Sequence, residues 1–365
     1  MNQPLLSIII PTFRRPVELG TQLGSILPQL VELPTGTVEV FVVDNGLDAE
    51  TPGVIKELQA QCDSLRYFRR AASVPLEVSI MSAREFGSGE YLWTLGDDDA
   101  IHAGCVAGIV GHIRNQRPSI ALLSVESWDS DLQRCMGRGH QFLKDPVNLF
   151  ESLPDAVRTL GWGVYFAYPG TAVVKAEPFR AADIDAYSTS AHIYSFALLE
   201  AFWNERCAFL RFPAIKYRVS RTLPWSENKL YGVTTTFVRC FDTAIRRGFG
   251  DWQTFLAFRE CIAADHKLLY LKVHSLAACM LSNLYDCLRA GLEITATDWL
   301  LFEQAYQGYG DPQMIQALAM IHLAEGNIER NAADVNRSLA AILIRENLST
   351  DKFPPDFSVK GSIDN

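Results

Sequence analysis

Short apolar runs alternate with amphipathic stretches along the first part of the chain. Each apolar run is too short for a typical helix and predicts a β-strand. These runs lie at residues 5–10, 38–43, 65–68, 91–95 and 120–125. The intervening stretches carry apolar residues at helical spacing, and they predict helices at 16–30, 55–58, 76–86 and 103–113. Strands that alternate with helices predict an α/β fold with a mostly parallel sheet and covering helices.

The pattern is harder to interpret between residues 126 and 160, where no single period dominates. Beyond it, runs at 170–175, 208–212 and 214–219 predict strands, and 190–203 predicts a helix. After about residue 225, helical spacing with glycine at the breaks predicts an all-helical region. We therefore predict an α/β domain over 1–225, a helical domain over 226–348 and a mobile tail over 349–365.

Composition and charge restrict the class of protein. The chain has 365 residues, 48% of them hydrophobic and 21% charged, which is typical of a globular protein. A net charge of −9 argues against binding to nucleic acid. The eight cysteines form no CxxC pair, as expected of free thiols in a reducing compartment. No apolar run reaches the ~18 residues of a membrane span, so we expect a soluble, cytoplasmic protein, with peripheral membrane contact left open.

Three adjacent carboxylates, Asp97, Asp98 and Asp99, follow the buried run 91–95. The carboxyl ends of strands are where ligands bind in open α/β sheets. Three neighbouring negative charges repel one another unless a cation offsets them, and Mg²⁺ or Mn²⁺ prefers such oxygen ligands. The alternative is a solvated turn in which Asp99 favours the start of the next helix. The run is therefore a candidate metal site that could in turn hold a diphosphate.

Polar residues also end two other predicted strands. Residues 11–14 follow the first strand, and Asp44 with Asn45 follows the second. The carboxyl ends of parallel strands meet at one rim of the sheet, so these groups are expected to share a crevice with the acidic run. A plain turn at Asp44, Asn45 and Gly46 is the alternative. Three polar strand ends on one rim favour a binding site.

In these motifs the first 220 or so residues resemble family-2-type glycosyltransferases with a GT-A, Rossmann-like fold. The motifs are residues 7–14, Val42-Val43-Asp44-Asn45 and Leu95-Gly96-Asp97-Asp98-Asp99, with looser similarity at 170–175 and 217–218. The last motif is similar to that of bacterial enzymes that build surface polysaccharides, including relatives of the abequosyltransferases. The resemblance implies that Pro11, Thr12 and Arg14 border the nucleotide of a nucleotide sugar. It also implies that Asp44 hydrogen-bonds the base.

The chain departs from the family pattern at two places. The first acid of the family's Asp-x-Asp motif aligns with Gly96, so Asp97 would substitute near the ribose. Asp98 would then be the main ligand of Mn²⁺ or Mg²⁺, assisted by Asp97 or Asp99. The family's catalytic acid falls near His192, which would serve as the general base or, alternatively, cap its helix. Asp185 and Asp183 are the nearby alternatives for the base.

The resemblance implies a metal-dependent transferase that moves a sugar, in particular a hexose or deoxyhexose, from a nucleotide-diphosphate sugar to a hydroxyl. The acceptor would be a glycan or a lipid-linked glycan, as in O-antigen or capsule synthesis. One alternative is a non-catalytic nucleotide- or sugar-binding scaffold derived from a transferase. A sugar nucleotidyltransferase is disfavoured because residues 11–16 lack the glycines of a phosphate-binding loop. Oligomerisation through the helical region stays open.

Overall fold

A computed structural model of the chain describes residues 3–138, 143, 145–160, 169–187, 193–218 and 237–250. The chain divides into two compact units, Met1–Leu223 and Pro224–Asn365. Within the described ranges, none of the helices is both long enough and apolar enough to span a bilayer.

The first unit is built on one mixed sheet. Its strands, in chain order, are β1 (Leu6–Thr12), β2 (Val38–Asp44), β3 (Leu65–Arg69), β4 (Tyr91–Thr94), β5 (Ala100–Ile101), β6 (Ile120–Trp128), β7 (Cys135–Arg138), β8 (Val147–Phe150), β9 (Ala172–Lys175) and β10 (Cys207–Arg218). The strand order is β3-β2-β1-β4-β9-β6-β10-β5, with β7 beside β6 and β8 beside β10.

Helices flank this sheet. They are α1 (Pro16–Leu30), α2 (Thr51–Gln59), α3 (Leu76–Ile80), α4 (Ala83–Phe86), α5 (Cys105–Gln116), α6 (Leu153–Leu160), α7 (Ala176–Ala181) and α8 (Ile193–Phe202). Two short 3₁₀ turns lie at Pro169–Thr171 and Asp185–Tyr187. In the second unit the described element is helix α9 (Phe237–Arg246). The helices predicted beyond residue 250 lie outside the described residues.

Strands β3, β2, β1 and β4 run parallel, which places their carboxyl ends on one rim. The ends are nearly level, since Thr12 pairs with Asp44 and Asp44 pairs with Arg69. Strand β9 runs antiparallel to both β4 and β6, so the sheet is mixed rather than mostly parallel. Apolar periodicity predicts a strand but not its direction. The direction depends on the end of the sheet at which the chain enters the strand.

Several predicted elements differ from the observed ones. The single helix predicted at 76–86 is two short helices, α3 and α4. The two strands predicted around Pro213 are one strand, β10, whose pairing with β6 has register shifts near that proline. A proline is tolerated there because a bulge frees the backbone from a ladder hydrogen bond. The segment that resisted interpretation holds β7, β8 and α6.

The core that supports the rim lies between the sheet and helices α1 and α5. All four residues of β4 are buried, as its unbroken apolar run predicts for a central strand. Buried residues recur on one face of α1 and of α5, at the spacing of an amphipathic helix. Trp93 is fully buried, and its indole Nε1 donates to the carbonyl of Gly170 at 2.7 Å. Strand β4 therefore holds the acidic run on a rigid support.

Candidate functional site

The acidic run begins directly beyond β4 and is tied to the end of β1. The hydroxyl of Thr12 donates to Oδ2 of Asp97 at 2.7 Å, and the backbone N–H of Phe13 donates to the same oxygen at 3.3 Å. The pairing of β1 with β4 continues to Leu95, whose N–H donates to the carbonyl of Ile9 at 2.9 Å. The first acidic residue is therefore fixed against the turn that follows β1.

Arg15 bridges the first two carboxylates of the run. Its Nη1 lies 3.1 Å from Oδ1 of Asp97 and 2.6 Å from Oδ2 of Asp98. The Asp98 side chain is 32% exposed and that of Arg15 is 29% exposed, whereas that of Asp97 is only 9% exposed. One oxygen from each carboxylate thus converges on a single position that a cationic group occupies. This position opens to solvent on the Asp98 side.

The third carboxylate of the run, Asp99, is held by Arg218. It is fully buried, and its Oδ1 accepts a hydrogen bond from the backbone N–H of Arg218 at 2.8 Å. Its Oδ2 has no hydrogen-bond partner among the described residues. The Arg218 guanidinium also donates to the carbonyl oxygens of Asp98 and Ser130. Arg218 thus fixes Oδ1, and Oδ2 is the oxygen of Asp99 that could assist a cation held by Asp98.

Burial and crowding raise the pKa values of the two enclosed carboxyls. Burial raises the pKa of Asp97 to about 6, and the charge of Asp98 adds to this, while Arg15, Thr12 and Phe13 hold it down. Burial, followed by the charge of Asp98, raises the pKa of Asp99 well above its ordinary value despite the Arg218 hydrogen bond. Negative charge at this rim is therefore in excess and favours a bound cation.

Asp97 and Asp98 are the candidate metal ligands of this rim. Within the described ranges, no three His, Cys, Asp or Glu side chains are grouped so that they could hold a metal ion. The converging oxygens of Asp97 and Asp98 nevertheless suit Mg²⁺ or Mn²⁺, because such ions are commonly held by one or two carboxylates together with substrate phosphates. Asp97 and Asp98 therefore fit a cation whose remaining ligands are supplied by phosphate oxygens.

Asp44, at the end of β2, is fully buried. Its Oδ1 accepts from the backbone N–H of Gly46 at 2.8 Å, and its Oδ2 accepts from the hydroxyl of Tyr67 at 2.6 Å. Arg69 Nε lies 3.6 Å from the same Oδ2. Burial and the Asp44 hydrogen bond raise the pKa of Tyr67, so its hydroxyl stays protonated and donates. The carboxylate is thus held rigidly, level with Thr12.

The turn after β1 packs against the turn after β2. Arg14 has a left-handed backbone with φ of 56°, and its Nε donates to the carbonyl of Gly46 at 3.1 Å. A Cβ at Gly46 would lie 2.6 Å from the backbone nitrogen of Arg14, so only glycine fits there. The N–H of Asn45 donates to the carbonyl of Thr12 at 2.9 Å. The two turns form one backbone unit beside the acidic run.

The predicted site residues are thus brought together in part. Pro11, Thr12, Arg14, Asp44 and Asp97 share the carboxyl rim, as their positions at strand ends predict. Sequence reasoning missed Arg15 and Tyr67, which neutralise or fix the carboxylates of the rim. Arg15 follows a strand end, which could have marked it as a candidate. The sequence does not show, however, which of the adjacent residues Arg14 and Arg15 pairs with the carboxylates.

The candidate bases are His192, Asp185 and Asp183. His192 lies outside the described residues. Asp185 begins a 3₁₀ turn and is exposed, and its backbone N–H donates to Oδ1 of Asp183 at 3.3 Å. Burial lowers the pKa of Arg84, and the charges of Asp185 and Asp183 oppose this. Asp185 therefore lies close enough to Arg84 for its charge to act on the guanidinium, which hydrogen-bonds the carbonyl oxygens of Arg180 and Ala182.

Comparison with known proteins confirms the resemblance that the motifs suggest. Residues 7–182 match the family model described as Glycosyl transferase family 2. Abequosyltransferase RfbV of Salmonella typhimurium is 25% identical over an alignment of 214 positions, which covers 56% of this chain and 62% of that protein. The GalNAc(5)-diNAcBac-PP-undecaprenol beta-1,3-glucosyltransferase of Campylobacter jejuni is 29% identical over 108 residues, which are 29% of this chain and 34% of that protein. The chain thus spans less than two thirds of the length of either relative.

Solved structures support the fold. TarS 1-349 of S. aureus has a TM-score of 0.56 at 15% identity, covering 94% of this chain and 92% of that chain. The same protein in complex with UDP-GlcNAc has a TM-score of 0.57 at 14% identity, covering 94% of this chain and 93% of that chain. These similarities show a shared GT-A-like α/β fold.

Proposed function

Because residues 7–182 match the Glycosyl transferase family 2 model, we propose that the chain is a metal-dependent glycosyltransferase of bacterial surface polysaccharide synthesis. It would move a sugar from a nucleotide-diphosphate sugar to a hydroxyl of a glycan or lipid-linked acceptor. One observation carries the metal-dependent part of the proposal. Oxygens of Asp97 and Asp98 converge on a single cation position at the carboxyl rim, beside the turns after β1 and β2.

Asp97 and Asp98 would hold Mg²⁺ or Mn²⁺ through these oxygens. When bound, the metal ion neutralises the charge that develops on the diphosphate leaving group. Thr12 and Phe13 fix one end of the site by hydrogen bonds to Asp97. Because Asp98 is part-exposed while Asp97 is not, the diphosphate would approach from the Asp98 side.

The nucleoside would lie toward β2. Asp44 and Thr12 are level on neighbouring strands, so a nucleotide that has its diphosphate at Asp98 passes the β1 turn toward Asp44. A carboxylate has about four lone-pair sites. Gly46 and Tyr67 use two of them, and Arg69 adds an ion pair at 3.6 Å. A remaining lone pair would accept an N–H of the base once the side chains that cover Asp44 move aside. UDP is the first nucleotide to test, since TarS was solved in complex with UDP-GlcNAc.

Deprotonation of the acceptor hydroxyl needs a base near the sugar. We assign this role to His192, with Asp185 as the alternative. The pKa of an unperturbed histidine suits a base near neutral pH. The exposed Asp185 would instead need an acceptor that reaches the Arg84 side of the domain. We assign binding of the acceptor, or of a partner, to the second unit, Pro224–Asn365.

A non-catalytic nucleotide-binding scaffold is the second candidate. Gly96 stands where the family has an acid, and an arginine bridges the two carboxylates that would bind the metal. Slow hydrolysis of the donor separates the two candidates, because a scaffold binds a nucleotide sugar without cleaving it.

The experiment is a panel of UDP-, CDP-, GDP- and dTDP-sugars, each incubated with the protein and Mn²⁺, with release of the nucleoside diphosphate as the readout. A transferase is expected to hydrolyse one donor class slowly, and Asp98→Asn should abolish this release. A parallel calorimetric titration measures binding. Binding without release from any donor would favour the scaffold, and absence of binding to every nucleotide would contradict both candidates.

A further inference from the structure

We propose that Arg15 is an exchangeable counter-cation that becomes a ligand of the donor diphosphate. In the free protein it neutralises Asp97 and Asp98. When a divalent cation and a nucleoside diphosphate bind, its guanidinium leaves the carboxylates and pairs with the diphosphate. This inference rests on the proposed function, because it needs a diphosphate ligand at the rim.

The geometry makes Arg15 and a metal ion mutually exclusive. A single nitrogen, Nη1, contacts both carboxylates, at 3.1 Å and 2.6 Å. A metal ion held by the same two oxygens would have to lie where this nitrogen lies. Two cations so close would repel each other strongly, and there is no room for both. Binding of the metal therefore requires that Arg15 moves away from the carboxylates.

Arg15 is suited to such movement, whereas its neighbours are not. Both side-chain contacts of Arg15 in the described structure are to carboxylates, and its side chain is 29% exposed. Arg218, in contrast, is tied to the carbonyl oxygens of Asp98 and Ser130, and Arg14 is tied to the carbonyl of Gly46. The pair with the part-exposed Asp98 contributes little stability, whereas the pair with the enclosed Asp97 is costly to break unless another cation replaces Arg15 there.

The released guanidinium has a new partner within reach. A metal ion that has taken the place of Nη1 would hold a diphosphate next to itself, within reach of the displaced Arg15 side chain. A guanidinium pairs well with phosphate oxygens, because its N–H groups match them in a bidentate arrangement. Arg15 also lies at the start of α1, where the helix dipole favours an anion.

The displacement of Arg15 couples the binding of the metal ion to the binding of the diphosphate. A metal ion that binds alone must displace Arg15 without giving it a new partner, so its affinity is low. A metal ion that binds with a diphosphate moves Arg15 onto that diphosphate, so each ligand raises the affinity of the other. Through Arg15, the affinity of the site for the metal ion depends on whether the nucleotide is bound, and its affinity for the nucleotide depends on the metal ion.

The test measures Mn²⁺ binding to the full chain without nucleotide, by electron paramagnetic resonance of free Mn²⁺. Arg15→Gln should bind Mn²⁺ more tightly than the wild type, by about fivefold or more, on the scale of ordinary coupling between ligands. The gain in Mn²⁺ affinity that UDP produces should shrink in the same variant. Arg15→Lys should be intermediate, since an ammonium pairs less well with two carboxylates, and it serves if Arg15→Gln does not fold.

Arg117→Gln is the matched control. Arg117 also pairs with a carboxylate, that of Glu90 at 2.9 Å, but far from the rim at the end of α5. Its loss should leave Mn²⁺ affinity unchanged. Mn²⁺ affinity that is equal or weaker in folded Arg15→Gln, or in Arg15→Lys if only that variant folds, overturns the inference. The proposed metal-dependent function fails as well if Mn²⁺ does not change UDP binding by the wild type and Asp98→Asn does not change UDP affinity. Failure of the Arg15 inference alone leaves both of these effects in place.

Discussion

The hydroxyl of Thr12 donates a hydrogen bond to Oδ2 of Asp97 at 2.7 Å across a sequence separation of 85 residues. This contact joins the end of β1 to the first residue of the acidic run, and it is buried. A buried carboxylate is costly unless hydrogen bonds and opposite charge satisfy it. The contact therefore both stabilises the domain and sets the orientation of Asp97 beside Asp98.

We predict that Thr12→Val destabilises the protein by about 1 to 3 kcal/mol, because it leaves the Asp97 oxygen with only a weak backbone donor. Urea unfolding followed by tryptophan fluorescence measures the change. Thr12→Ser keeps the hydroxyl and should lose far less. Equal stability of Thr12→Val and the wild type would show that the hydrogen bond contributes little.

Asp44→Asn should weaken binding of the free nucleoside by about tenfold or more without any metal, since a hydrogen bond to a charged group contributes about 1.5 to 3 kcal/mol. The control is Tyr67→Phe, which removes one protein partner of Asp44 and keeps the carboxylate. Calorimetric titration of both variants with nucleoside distinguishes them. If Asp44→Asn changes only the metal-dependent part of nucleotide affinity, Asp44 does not read the base.

Gly46→Ala should weaken nucleotide binding and lower stability, because its methyl group would displace the backbone of Arg14. Gly53→Ala in α2 is the matched control, since a Cβ at Gly53 has no heavy atom within 4 Å. There the same substitution should stabilise the protein by roughly 0.5 to 1 kcal/mol through helix propensity. Thermal unfolding and nucleotide titration test both variants. An unaffected Gly46→Ala protein would mean that the two turns adjust freely.

The base can be identified by comparing His192→Ala with Asp185→Asn. Loss of a general base lowers turnover by ~10²-fold or more, with little change in donor affinity. If His192 is the base, the wild-type rate falls below about pH 6.5 as the imidazole takes up a proton. His192→Ala would then lack this pH dependence. Retained turnover in His192→Ala, together with loss of turnover in Asp185→Asn, would transfer the role to Asp185.

Much of the rim was predictable from the sequence. The buried run at 91–95 predicted β4 and its central position, because an unbroken apolar run is typical of a central strand. The acids after it predicted a site at the end of that strand. Polar residues at the ends of β1 and β2 predicted a shared rim, since parallel strands end on one side. The contact of Thr12 with Asp97 is a direct consequence of that topology.

Other features were beyond sequence reasoning for physical reasons. The direction of β9 depends on the course of the preceding chain, and the continuity of β10 depends on bulges beside Pro213. The separate orientations of Asp97, Asp98 and Asp99 depend on Arg15 and Arg218, which lie far away in the sequence. Adjacent residues with the same side chain differ here only because their tertiary partners differ.

The most direct test of the account is the metal dependence of nucleotide binding at Asp98. Calorimetric titration with UDP, CDP, GDP and dTDP, each with Mn²⁺ and with a chelator, identifies the preferred nucleotide in the wild type. The same titration of Asp98→Asn, with thermal unfolding to verify the fold, then measures the contribution of this carboxylate. We predict that Mn²⁺ raises wild-type affinity and that folded Asp98→Asn lacks this increase. An equal increase in the variant, or no increase in the wild type, would contradict the account.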